Sequence, residues 1–173
     1  MERAERSLMT EKKPTKYYSS KQENRIADYL GWSAVSASGA RPFNPGDVKS
    51  VEWLAECKTH TDVTDTITIS KAVWQKLSNE AKGCMRKPVL FVDNGTQKIE
   101  NTWAIFPKRL YYGDDLEVVD LPIRESDKKY TFKHSIFSKA FSGNERLTTV
   151  FIKTESLYIV EICTFKNLFC EGD

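Results

Sequence analysis

Gly46-Asp47-Val48-Lys49-Ser50-Val51-Glu52-Trp53-Leu54-Ala55-Glu56-Cys57-Lys58 reads as a short strand, a tight turn and a second strand. Asp47 lies at the start of the first. Along the second, alternate side chains face opposite sides. Val51, Trp53, Ala55 and Cys57 make an apolar face suited to a core, and Glu52, Leu54, Glu56 and Lys58 share the other. On a solvated strand, Glu56 and Lys58 would form a surface ion pair worth about 0–1 kcal/mol. Leu54 and Ala55 just before them instead predict a strand covered on both faces. Charged residues ending such a strand need a partner or a function. With Asp47 folded across from Glu56, two carboxylates come within reach and repel unless a cation lies between them. A hard divalent cation with oxygen ligands meets that need. Lys58 then points at the same place, to orient or help deprotonate a metal-bound water.

Upstream, Ser19 or Ser20 predicts a helix cap, with Ile26, Ala27 and Leu30 as the helix's apolar stripe and Gly31 as its end. Glu23 lies three residues after Ser20, so it serves either a capping box or the site. Between helix and hairpin, Trp32 to Arg41 is rich in Ser, Ala and Gly, a composition that lets backbone approach a ligand closely. Ser36, Ser38 and Arg41 are candidate phosphate contacts there, against the alternative of an ordinary flexible connection.

These residues carry a resemblance. Asp47, eight intervening residues and then Glu56-Cys57-Lys58 resembles the catalytic core of the PD-(D/E)xK nuclease superfamily. Ser36-Ala37-Ser38-Gly39-Ala40-Arg41 followed by Gly46-Asp47-Val48 is similar to the phage-type and archaeal Holliday junction resolvases, in which a Glu of the first helix joins the site; Glu23 stands at that position. The similarity covers the first half of the chain. One departure is that Gly46, not Pro, precedes Asp47, with Pro45 one place earlier. The resemblance implies a restriction-endonuclease-like core and a Mg²⁺-dependent endonuclease, with Mn²⁺ as substitute, acting on branched or junction DNA. Asp47 and Glu56 would hold the metal with the Cys57 backbone carbonyl, Glu23 would complete or orient the metal shell, and Lys58 would position the attacking water. It further implies a homodimer, a 5′-phosphate product and a phage or mobile-element origin. A polar residue on the following helix is expected to orient site or DNA, which falls to Lys71 and Gln75; a solvated helix face is the alternative for both.

The remaining sequence predicts an α/β fold with a mixed central sheet flanked by helices. Ser70 caps a helix with Ala72, Val73, Leu77 and Ala81 on one face, running to about Lys82. Pro88-Val89-Leu90-Phe91-Val92 reads as a buried central strand, Asn94-Gly95 as a turn and Thr102 to Phe106 as the next strand. A helical crossover into 88–93 favours parallel pairing. Lys108 to Tyr112 reads as a short basic and aromatic helix, and Leu116 to Ile123 as a further strand. Residues 124–134 are charged and carry no assigned element. Ile136, Phe137, Ala140 and Phe141 have helical spacing. A closing hairpin over 148–162 and a helix over 164–169 complete the chain. His60 reads as a surface histidine.

At 173 residues with 40% apolar content, the chain supports one domain with a real core. Residues 1–18 read as a flexible basic arm and 19–173 as a single nuclease domain. A formal charge of +2 does not by itself announce nucleic-acid binding. Residues 1–21 carry six Lys/Arg against three Glu; the rest holds 20 basic and 21 acidic residues. That arm suits DNA, or is a solvated terminus. Cys57, Cys84, Cys163 and Cys170 have no zinc-type spacing and suggest structural burial. No secretory leader and no apolar run near 18 residues is evident, so no membrane is expected. A reducing cytoplasm is the simplest compartment, the host's if the chain is phage-encoded. Alternatives to a resolvase-like enzyme are a sequence-specific restriction-type endonuclease, a non-catalytic DNA-binding module on the same fold, and an interaction protein with these charges in a buried network.

Overall fold

A computed structural model of the chain describes residues 13–35, 45–142 and 147–170. The elements in chain order are α1 (Thr15–Leu30), β1 (Ser33–Ala34), β2 (Val48–Lys49), β3 (Trp53–Lys58), β4 (Thr66–Ser70), α2 (Lys71–Gly83), β5 (Lys87–Asp93) and β6 (Thr102–Pro107). They continue with β7 (Leu116–Val118), β8 (Arg124–Glu125), β9 (Lys129–Lys133), α3 (His134–Phe141), β10 (Leu147–Ile152), β11 (Leu157–Glu161) and α4 (Ile162–Phe169). The fold is mixed α/β. A central sheet in the order β1-β2-β3-β5-β6-β11-β10-β7 is flanked by helices, and β4-β9-β8 form a second, smaller sheet.

The central sheet is mixed because β3 and β5 run parallel while β5–β6 and β6–β11 are antiparallel. The β3–β5 connection passes through β4 and α2, as a parallel pair requires. Alternation along these strands divides the core in two. Trp53, Ala55, Cys57, Val89 and Phe91 pack with Ile26 and Leu30 of α1 and Phe165 of α4. Leu54, Leu90 and Val92 pack with Trp74 and Leu77 of α2, Phe137 of α3 and Ile67 of the small sheet. Leu54 is fully buried, so β3 is covered on both faces. Val51 does not join the apolar face predicted for it. It is 91% exposed, because Ser50–Trp53 form the turn; Ser50 N–H donates to the Trp53 carbonyl at 3.0 Å and Trp53 N–H to Ser50 Oγ at 3.1 Å.

Several elements differ from the sequence reading. α1 begins at Thr15, so residues 15–18 form its first turn rather than part of an arm. Pro14 stands at the N-cap and its carbonyl accepts from Tyr17 N–H at 2.9 Å; a proline there loses no helical hydrogen bond. Ser20 is therefore inside the helix, and the capping box for Glu23 does not form. The strand expected over 116–123 stops at Val118. The charged stretch 124–133 holds a hairpin, β8–β9, in which Tyr130 and Phe132 pair with Ile69 and Ile67 of β4. Lys108–Leu110 form a single 3-10 turn rather than a helix to Tyr112, and α4 starts at Ile162 rather than Thr164. As expected, Gly31 ends α1 in a left-handed conformation, Ser70 Oγ caps α2 by accepting from Val73 N–H, and β10–β11 close as an antiparallel hairpin.

No helix among the described residues is long and apolar enough to cross a membrane. Of the cysteines, Cys57 is buried, Cys84 and Cys170 are half-buried and Cys163 is exposed, so burial accounts fully for only the first.

Candidate active site

The site is built on the β2–β3 hairpin. Its register pairs Val48 with Ala55 and Lys49 with Leu54, and Asp47 stands immediately before this ladder. Asp47 N–H donates to the Ala55 carbonyl at 2.8 Å, and Val35 N–H to the Asp47 carbonyl at 2.8 Å. The Asp47 carboxylate then takes over the ladder: Oδ2 accepts from Cys57 N–H at 2.8 Å. Asp47 is thus a nearly buried residue whose orientation is fixed by β3 itself. The N–H and C=O of one strand residue point the same way, so the Cys57 carbonyl faces the Asp47 edge as well.

Gly46 makes this approach feasible. Its φ is +78°, a region L side chains rarely adopt, and a Cβ there would lie 2.6 Å from Leu54 Cδ1 and 3.0 Å from the Ala55 carbonyl oxygen. Proline is fixed near φ −65° and cannot take this conformation. The glycine before Asp47 is therefore a requirement of this hairpin.

Glu56 and Lys58 lie on the other face from Cys57, at the carboxyl end of β3. Lys58 Nζ pairs with Glu56 Oε1 at 2.5 Å; the Glu56 side chain is 14% exposed and that of Lys58 48%. Burial pulls the Lys58 pKa down, but the hydrogen bond and charge of Glu56, with Asp47 behind them, outweigh it and hold the pKa above the usual lysine value. Lys58 donates from its ammonium group to Glu56. Glu23 reaches the same place from α1. Burial and then the Asp47 charge push its pKa up, with Lys58 opposing and Glu56 adding to the rise. Burial, then the charges of Asp47, Glu23 and Glu56, push the Cys57 thiol pKa well up.

Glu23, Asp47, Glu56 and Lys58 thus share one electrostatic neighbourhood at the open edge and carboxyl end of β3. Among the described residues no three His, Cys, Asp or Glu side chains are gathered closely enough to cage a metal ion. Mg²⁺ keeps several waters and needs one or two carboxylates. The hard-oxygen donors of Asp47, Glu56 and the Cys57 carbonyl fit that demand, and the mutual repulsion felt at Glu23 is the field a cation would relieve.

The remaining predicted residues stand apart. Lys71 Nζ pairs with Glu125 Oε1 at 2.7 Å and sits 4.7 Å over the Tyr130 ring, and Gln75 donates to Asn79 Oδ1 at 3.3 Å. Neither contact leads to the carboxylates. Ser36, Ser38 and Arg41 lie outside the described residues. His60 is half-buried and lines a 210 Å³ cavity with Lys58, Thr68 and Ser70.

Sequence reasoning missed a polar cluster on the β5 side of Lys58. Gln22 and Asp93 are fully buried, and Gln22 Nε2 donates to the Lys58 carbonyl at 2.9 Å and to Asp93 Oδ2 at 3.2 Å. The signal was available: Gln22 lies four residues before Ile26 on the buried stripe of α1, and Asp93 ends an otherwise apolar strand. A polar side chain at such a position has to find a partner. Set against known proteins, the chain matches no family model, no curated protein and no solved structure.

Proposed function

We propose that this chain is a Mg²⁺-dependent DNA endonuclease with a restriction-endonuclease-like core, of the PD-(D/E)xK kind. The observation that carries this reading is the Asp47 carboxylate held on Cys57 N–H, between Glu56 and Lys58, which pair with each other at the end of a strand otherwise buried on both faces. Open α/β sheets bind ligands outside the carboxyl ends of their parallel strands, and this cluster lies at that end of the parallel β3–β5 pair. The glycine departure before Asp47 is explained by backbone geometry and does not weaken the motif.

In this reading Asp47, Glu56 and the Cys57 carbonyl would hold Mg²⁺, for which Mn²⁺ would substitute. The bound cation would lower the pKa of a water and offset charge on the transferring phosphoryl group. The chain's own residues supply the rest. Asp47, its orientation fixed by Cys57 N–H, would hold the cation to which a scissile phosphate is drawn at the edge of β3. Lys58 donates from its ammonium group to the attacking water or a phosphate oxygen, and so must release Glu56 in part. Glu23, with its raised pKa, holds the water's orientation from α1. The resemblance to junction resolvases directs the proposal to branched DNA, cut on two strands by a homodimer with one site per subunit.

The test is incubation of the protein with a labelled four-way junction and a matched linear duplex, with Mg²⁺ and with EDTA. Paired nicks near the branch that require Mg²⁺ support the resolvase reading. Cuts at fixed sequences in the linear duplex replace it with a restriction-type enzyme. Binding without cutting in Mg²⁺ or Mn²⁺ overturns the enzymatic reading.

A further inference from the structure

Asp93 closes β5 with its carboxylate wholly inside the protein. Among the described residues its two oxygens accept four hydrogen bonds. Oδ2 receives Arg25 Nη2 at 2.9 Å and Gln22 Nε2 at 3.2 Å. Oδ1 receives Thr59 Oγ1 at 2.5 Å and Gly95 N–H at 2.8 Å. Gln97 closes the circuit: its Nε2 donates to Thr59 Oγ1 at 2.9 Å, and its Oε1 accepts from Arg25 Nη1 at 3.2 Å. Three segments meet here, namely α1, the end of β3 with Thr59, and the end of β5 with its turn.

The cluster is expensive for a part that only fills space. Among the described residues, Gln22 Oε1 and Arg25 Nε are buried with no hydrogen-bond partner. A buried charged network with unsatisfied members is a poorer source of stability than apolar packing of similar volume. Its connections, however, run to the candidate site. Gln22 precedes Glu23 on α1, and its amide holds the carbonyl of Lys58 itself. One helix turn thus sends Glu23 towards the carboxylates and Gln22 to the backbone of the residue that pairs with Glu56.

We propose that the Asp93-centred network is a positioning device for the nuclease site, with Gln22 as the link that sets Glu23 against Lys58. Arg25, Thr59 and Gln97 hold Asp93, Asp93 and the Lys58 carbonyl together hold Gln22, and Gln22 fixes α1 relative to the end of β3. The inference rests on the nuclease reading above. Gln22 and Asp93 touch none of the reacting atoms; they act through Glu23 and Lys58.

The test compares full-length wild type with Gln22→Met, which keeps the side chain's size, and with Asp93→Asn, which keeps its shape. Two readouts are taken on each folded protein. Amide hydrogen exchange, without metal or DNA, should quicken about tenfold or more over residues 57–60 in Gln22→Met while β6 and β11 stay protected. In Mg²⁺, kcat for DNA cleavage should fall about 100-fold with KM unchanged, because a misplacement near 1 Å costs that much. Asp93→Asn should show both effects more strongly; if it does not fold, Gln22→Met decides alone. A Gln22→Met protein with wild-type exchange over 57–60 and wild-type kcat overturns the positioning role while leaving the nuclease reading intact. A loss confined to the folded fraction, with kcat per folded molecule unchanged, also overturns it. A wild type that does not cut DNA removes the nuclease reading itself, and the positioning role with it.

Discussion

Gly46 shows how one residue governs the site. Its positive φ and the 2.6 Å approach to Leu54 leave no room for a side chain. Gly46→Ala should destabilise the protein by about 1–3 kcal/mol in urea unfolding and lower Mg²⁺-dependent cleavage through Asp47; an unchanged midpoint and rate would contradict the hairpin geometry. Glu23 carries a cost of another kind. Its pKa is raised in the folded state by burial and by Asp47. A carboxyl with a raised folded pKa contributes stability fully below its unfolded pKa, near 4.3, and loses that contribution as pH rises through the folded value. Without divalent cations, Glu23→Gln should therefore melt higher than wild type at pH 7, with the difference shrinking towards pH 4. A Glu23→Gln protein less stable than wild type at pH 7 would contradict the crowded-carboxylate account. Asp47, Glu56 and Lys58 could be singled out from their spacing because a carboxylate and an ammonium close the apolar strand that follows Asp47. Gln22 and Asp93 were not singled out: a lone Gln in a helix stripe and an Asp before Asn94-Gly95 also suit solvent and a turn.

At the scale of elements, β3 joins the two halves of the core. Leu54 is fully buried beneath α2 and the small sheet, whereas Val51 stands exposed in the turn. Leu54→Ala should cost about 2–5 kcal/mol, and Val51→Ala should stay within about 0.5 kcal/mol, both read from chemical unfolding. Equal costs would contradict the register of β3. Period and composition made α2, β3, β5, β6 and the β10–β11 hairpin readable in advance, since each has a long apolar pattern with a cap or turn at its ends. The β8–β9 hairpin was hidden by composition: Lys128, Lys129 and Lys133 surround Tyr130 and Phe132, and the two-residue alternation drowns in the charge. α1 starts ahead of the Ser19 or Ser20 cap that its sequence suggests, because Pro14 stands at the N-cap, where a proline is compatible with the helix that follows.

Over the whole molecule, the two core clusters share one sheet, and β3, β5, β6 and β11 contribute to both. Such a structure should unfold as one cooperative unit. Trp32 and Trp53 report on one cluster, Trp74 and Trp103 on the other. Fluorescence of variants keeping one pair at a time should give coincident urea transitions, and separated midpoints would contradict a single folding unit. The same sheet brings α1, the hairpin and the end of β5 to one place, which no segment of the sequence specifies by itself. The central claim is that this convergence makes Asp47 a metal-binding catalytic carboxylate. The most direct measurement is cleavage of a labelled DNA junction by wild type and by Asp47→Ala at matched Mg²⁺, with circular dichroism confirming that both are folded. The account predicts Mg²⁺-dependent cleavage by wild type and none detectable from Asp47→Ala; equal cleavage by the two would contradict it.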